Sequence, residues 1–84
     1  MEYPIDYSLY DTEEIVIIVN FLNLLEQYQI DKKYVEKDNL LQAYFDFNRI
    51  INNKSEEKKI DQAFEKQTGI SIYHTIKEIK STNV

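Results

Sequence analysis

Apolar residues recur along this chain at two different spacings. Over residues 1–10, Tyr3, Ile5, Tyr7 and Leu9 alternate with other positions around Pro4, a period of two that predicts an extended arm laid on a surface. Beyond Asp11 the spacing becomes helical. Ile15, Ile18, Leu22 and Leu25 form one stripe, Ile17, Phe21, Leu24 and Tyr28 a second, and Val16, Asn20, Asn23 and Gln27 the mostly polar remainder, so a first helix over about 12–29 is apolar on two faces. The five β-branched residues from Ile15 to Val19 favour a strand on propensity alone. Two features outweigh them: the helical spacing continues past Asn20, and a capping box precedes it, with Asp11 placed to accept from the first turn and Glu14 to reach back to the amide of Asp11. Tyr10 and Ile15 suit a hydrophobic staple across that entry.

Three shorter helices follow. The charged connection 30–37 contains Tyr34 and Val35, and a second helix over about 38–51 places Leu40, Tyr44, Phe47 and Ile51 on one stripe with Leu41 and Phe45 beside it. Asn52-Asn53-Lys54 makes a turn, after which Ser55 is expected to cap a third helix over about 55–68, with Glu56 and Glu57 at its positive end and a narrow apolar face of Ile60, Ala63 and Phe64. Gly69 stands where a left-handed residue closes a helix, with Ile70 available to contact Phe64. Ser71 then caps a fourth helix over about 71–80, whose Ile72, Ile76 and Ile79 share a face and whose Lys77 and Lys80 lie near its negative end. The predicted fold is all-α: a small four-helix bundle with an extended N-terminal arm, in one domain spanning 1–84, with the widely apolar first helix at its centre.

Composition narrows the picture further. The 84 residues include no cysteine, no tryptophan, one histidine, one proline and one glycine, which excludes disulfide scaffolds, zinc ribbons, thiol chemistry and Gly-rich phosphate loops. Hydrophobic residues at 43% and charged residues at 30% suit a globular chain and not a disordered one. The N-terminus lacks a basic stretch ahead of an apolar run, so a cytoplasmic, membrane-free protein is expected. The net charge of −5 is unevenly spread. Residues 1–31 hold seven acids and no base, while residues 32–84 hold eight acids against all ten bases. An acidic N-terminal surface facing a basic protein partner follows from that split, unless the two halves merely attract each other. Nucleic-acid binding by Arg49, Lys54, Lys58 and Lys59 is the weaker reading, because Glu56, Glu57 and Asp61 interleave them.

Candidate chemistry is sparse. His74 with Glu78 one turn on supplies two metal ligands at best, and Asp61 with Glu65 reads as a solvated, ion-paired face more readily than as an acid–base pair. The serines read as caps and turn residues, and none lies in a nucleophile elbow. No catalytic residue, cofactor or metal is predicted. The seven tyrosines are expected mainly to fill a core without tryptophan. The alternative is an aromatic docking patch built from Tyr3, Asp6, Tyr7, Tyr10 and Glu13.

The run Tyr3-Pro4-Ile5-Asp6-Tyr7-Ser8, then Thr12-Glu13-Glu14-Ile15-Val16, Glu56-Glu57-Lys58, Phe64-Glu65, Thr68-Gly69 and the spaced set Ser71, Tyr73, Lys77 resembles the YktA-like small bacterial proteins, an uncharacterised family (UPF0223). The resemblance runs from Tyr3 to Lys80. Leu9-Tyr10 stand where the family usually has a tryptophan, the connection between the first two helices is longer, and Asn52-Asn53 replace a frequent proline. It implies a small all-helical fold and no particular activity. The expectation is therefore a non-enzymatic protein–protein interaction module or regulator, with a nucleic-acid-associated accessory factor as the alternative. The two-faced first helix adds the expectation of a homodimer.

Overall fold

A computed structural model describes residues 5–32 and 35–82 of the chain. Helix α1, Thr12–Ile30, begins at the expected capping box: the Glu14 amide donates to Asp11 Oδ1 at 2.8 Å and the Asp11 amide to Glu14 Oε1 at 3.0 Å. Its stripes do different amounts of burying. Ile18, Phe21, Leu22, Leu25 and Tyr28 are buried, Ile17 and Leu24 half-buried, and Val16, Asn20 and Asn23 exposed. Both apolar stripes are thus largely covered within the chain.

Helices α2, Lys37–Ile50, α3, Lys54–Thr68, and α4, Ile72–Thr82, complete an all-α architecture, and no strand occurs among the described residues. Helix α1 packs chiefly on α2, and α3 on α4. The shared core holds Phe21, Leu40, Phe47, Ile60, Phe64 and Ile79 at its centre. Its radius of gyration, 12.3 Å, matches the roughly 12 Å of a fully packed chain this long.

Two local expectations, the extended arm and the Ser55 cap, need correction. The period-two arm gives way after Asp6: Tyr7–Leu9 form a 3₁₀ turn, because Asp6 Oδ1 accepts from both the amide and the hydroxyl of Ser8, at 3.1 and 2.6 Å, and folds the backbone back on itself. Ile5 is buried ahead of that turn, while Tyr3 and Pro4 lie outside the described residues. Ser55 does not cap α3; Asn53 does, its Oδ1 accepting from Ser55 N at 2.8 Å and Glu56 N at 3.4 Å. The second helix starts at Lys37 and ends at Ile50, leaving Ile51 as a buried residue just past its end. On α2, Phe45 is 56% exposed and Ala43 is buried instead, since Leu40, Ala43 and Phe47 face α1 at the i, i+3, i+7 spacing.

Gly69 has φ 79° and closes α3, donating its amide to Glu65 O at 2.7 Å. Thr68 knits the turn by donating to Phe64 O (2.7 Å) and accepting from Ile70 N (3.2 Å). Asp61 Oδ1 then accepts from Ile72 N at 3.1 Å, and Ser71 Oγ from His74 N at 3.3 Å, which together fix where α4 starts.

Two stability measurements test these ends. Asn53→Ala should cost about 1 kcal/mol, lowering the melting midpoint by about 4–8 °C, while Ser55→Ala should stay within about 0.5 kcal/mol of the parent; equal losses in urea unfolding would return the cap to Ser55. A Cβ at Gly69 meets nothing within 4 Å, so Gly69→Ala should lose only the backbone penalty of about 1–2 kcal/mol. Gly69→Asn should recover part of that loss in the same assay, because asparagine tolerates the left-handed region better.

Candidate functional site

The N-terminal ends of α1 and α3 meet the C-terminal end of α2 around Tyr10. The 3₁₀ turn carries the chain to this point, with Leu9 N donating to Asp6 O at 3.1 Å and Tyr10 N to Tyr7 O at 3.4 Å. A turn this tight cannot bury every side chain, so Tyr7 and Leu9 remain 41% and 59% exposed while Tyr10 leans half-buried on the core. Leu9, Tyr10, Ile50, Asn53 and Glu56 line a cleft of about 170 Å³.

Its electrostatics are acidic. Burial, then the charges of Glu56, Asp6 and Glu14, raises the Tyr10 phenol above its ordinary 10.0. The hydroxyl and then the amide of Ser8 hold the Asp6 carboxyl below its ordinary value, with Lys59 adding a smaller pull. Near neutral pH, Asp6 is therefore charged and Tyr10 neutral. Both shifts run away from neutrality, opposite to what a proton-transfer pair needs. The cleft can instead accept hydrogen bonds, attract cations and offer apolar contact.

Of the residues singled out in the sequence, Asp6, Tyr7 and Tyr10 are brought together here. Glu13 is exposed in the first turn of α1, and Tyr3 lies outside the described residues. Leu9 and Glu56 were readable only as an arm residue and a helix-end charge. Their sequence signal was indirect: both helix starts carry acids, and the fold brings the starts together.

The other candidates disperse. Glu78 is bonded to Lys32 at 3.0 Å, and the His74 ring packs beside that of Tyr73, the centroids 5.5 Å apart. The described residues hold no group of three or more metal-ligating His, Cys, Asp or Glu side chains. Asp61 accepts from Ile72 N, which gives it a structural role. In the basic set, Arg49 pairs with Asp46 at 2.9 Å and Lys59 acts on Asp6. Among the described residues, no helix is long and apolar enough to cross a membrane.

Comparison with known proteins agrees with the motifs. The model of an uncharacterised protein family, UPF0223, matches residues 1–84. A UPF0223 protein of Oceanobacillus iheyensis is 39% identical over 98% of this chain and 90% of its own length. One from Bacillus cytotoxicus is 38% identical over 96% of this chain and 88% of its own, and YfdD of Lactococcus lactis 36% identical over 95% and 83%. No solved structure matches. With the family model and these relatives spanning nearly every residue from the Tyr-Pro opening to the last helix, the chain belongs to UPF0223, an uncharacterised family of small bacterial proteins.

Proposed function

We propose that this protein is a non-enzymatic interaction module of the bacterial cytoplasm, docking a basic segment of a protein partner on the end built around Tyr10. The observation that carries this reading is the exposure of Tyr7 and Leu9 beside a cleft where three carboxylates, Asp6, Glu14 and Glu56, act on Tyr10, with Lys59 a smaller counter-charge at Asp6. Exposed aromatic and aliphatic groups supply contact area once water is excluded, while the acids select for positive charge and speed encounter. A lysine- or arginine-rich segment with an apolar residue matches both requirements. The α3 lysines serve a nucleic-acid role less well, because Glu56, Glu57 and Asp61 share their helix.

Affinity capture from a native lysate, with and without nuclease and followed by cross-linking mass spectrometry, tests this directly. The expected outcome is a nuclease-resistant partner whose cross-linked peptide is rich in Lys or Arg. Its affinity should fall at least about tenfold, or 1.4 kcal/mol, on Tyr7→Ala with Leu9→Asp, and should weaken with added salt. Both side chains are exposed, so the fold should survive. Undiminished binding by that variant would remove the docking surface, and a nuclease-sensitive partner would favour nucleic acid.

The acidity of the surface is measurable without a partner. Tyr10 should ionise above pH 10.0 in an alkaline absorbance titration, read as the difference from Tyr10→Phe, and Glu56→Gln should move it part of the way back. Because the folded state holds the phenol proton more tightly, its contribution to stability is complete below the ordinary tyrosine pKa and is lost as pH rises through the folded one. A Tyr10 titrating at the ordinary value would show that the acids do not converge on it.

A further inference from the structure

On the exposed side of α4, Tyr73, Lys77 and Lys80 follow one another at the i, i+4, i+7 spacing that places side chains on one helix face. Tyr44 of α2 stands opposite, and between them opens a cleft of about 330 Å³ with Ile76, buried, at its floor and Ser81 at its rim. That volume is at the small end of the roughly 300–1,000 Å³ typical of small-molecule sites. It shares no lining residue with the cleft at Tyr10.

Lys77 and Lys80 combine two features: no ion pair among the described residues, and a phenol ring beneath the ammonium. Lys32 and Arg49 have carboxylate partners. Each ammonium lies over a phenol ring, Lys77 Nζ 5.9 Å from the Tyr73 centroid and Lys80 Nζ 5.6 Å from that of Tyr44. Such cation–π contacts hold the amines at the cleft without neutralising them. Tyr73 is 62% exposed, and its ring stands at 65° to that of His74 with the centroids 5.5 Å apart.

Charge of the other sign lies beside the same rings. A recess of about 40 Å³ continues from the cleft between the same two tyrosines and is lined by Glu57 and Asp61. The two phenol rings are thus shared between a side carrying the amines over them and a side carrying carboxylates. The recess admits a group the size of an amine or a water, and no ring.

We propose that this groove binds a nucleoside phosphate, with the phosphate between Lys77 and Lys80, the base against Tyr73 and Tyr44, and an N–H donor of the base turned toward Glu57 and Asp61. Each part of such a ligand meets the chemistry that suits it: anion on ammonium, π-face on phenol, donor on carboxylate. A single strand of nucleic acid fits less well, because the approach of its many phosphates would be opposed by the net charge of −5. Guanosine monophosphate is the natural probe, since guanine presents adjacent N–H donors that one carboxylate can accept together.

Amide-resolved NMR titration of the full chain tests the proposal, with guanosine monophosphate, guanosine, inorganic phosphate and a short single-stranded oligonucleotide run in parallel. The nucleotide is expected to shift the amides of Tyr73, Lys77 and Lys80, and to bind at least about tenfold more tightly than guanosine or phosphate alone. Lys77→Gln with Lys80→Gln, and separately Tyr73→Leu, should each weaken it severalfold while leaving the rest of the spectrum in place, since all three side chains are exposed. No shift at these amides up to about 1 mM nucleotide, a binding free energy near −4 kcal/mol, would overturn the proposal. So would an equal response to phosphate alone, which would mean a bare cationic patch, or tighter binding per nucleotide by the oligonucleotide, which would make the groove a single-strand platform.

Discussion

Phe21 is the residue on which the rest of the arrangement hangs. It is fully buried on the face of α1 that meets α2, its ring centroid 4.8 Å from that of Phe47 and 5.7 Å from that of Tyr44, both tilted rather than stacked. A phenylalanine so placed is worth about 3–5 kcal/mol against alanine, a large part of the roughly 4–13 kcal/mol that a chain of this size can have in total. Its consequence reaches beyond stability. Phe47 and Tyr44 are one turn apart on α2, so locking Phe47 against Phe21 fixes the rotation of α2 and leaves the Tyr44 ring as a wall toward α4. The interior contact therefore sets the shape of the outer groove.

The other half of that groove is set by hydrogen bonds. A chain with one glycine has few ways to turn sharply, and here the α3–α4 corner uses Gly69 for the reversal and side-chain oxygens for the rest. Thr68 and Ser71 satisfy backbone groups at the corner, and Asp61, two turns back on α3, accepts the first amide of α4. At the far end of α1, Gln29 donates to the buried Thr75 hydroxyl at 3.4 Å, while Lys32 reaches Glu78. The second of these is exposed and worth little by itself. Together with Ile72, Ile76 and Ile79 in the core, they leave α4 one orientation, and that orientation turns Tyr73, Lys77 and Lys80 outward.

The parts of this structure legible in the sequence were those decided by neighbours a turn or less away. The Asp11–Glu14 box, the left-handed Gly69 and the isoleucine face of α4 all belong to that class. Ser55 lost the cap of α3 to Asn53 because both residue types accept from free amides, and the choice between them was made by Ile51, whose burial places the chain reversal two residues earlier. The alternation of Ile5, Tyr7 and Leu9 misled for a related reason: a period of two records which residues are apolar, and the bonds from Ser8 to Asp6 overrule it locally. Phe45, read as flanking the apolar stripe of α2, is exposed, while Leu40, Ala43 and Phe47 are buried. The groove was half legible. Tyr73, Lys77 and Lys80 lie in plain helical spacing, but Tyr44 joins them only through the packing of α2 on Phe21.

Charge shows the same division between local and folded information. Along the chain the first 31 residues are purely acidic and the remainder slightly basic. Folding does not keep the two halves apart. Glu56, from the basic half, adds to the acids around Tyr10, while Lys59 from the same helix acts weakly on Asp6, so the N-terminal end gains a carboxylate and a partial counter-charge together. Lys77 and Lys80 form a separate positive pair on α4 with Glu57 and Asp61 close behind. The molecule thus has two polar surfaces of opposite leading sign that share no residue, and each has aromatic groups beside its charges. Charge alone at a solvated surface is screened within about 8 Å at physiological salt. What an approaching charge meets is therefore set by the residues within that range of one surface, and the −5 sum describes neither of the two.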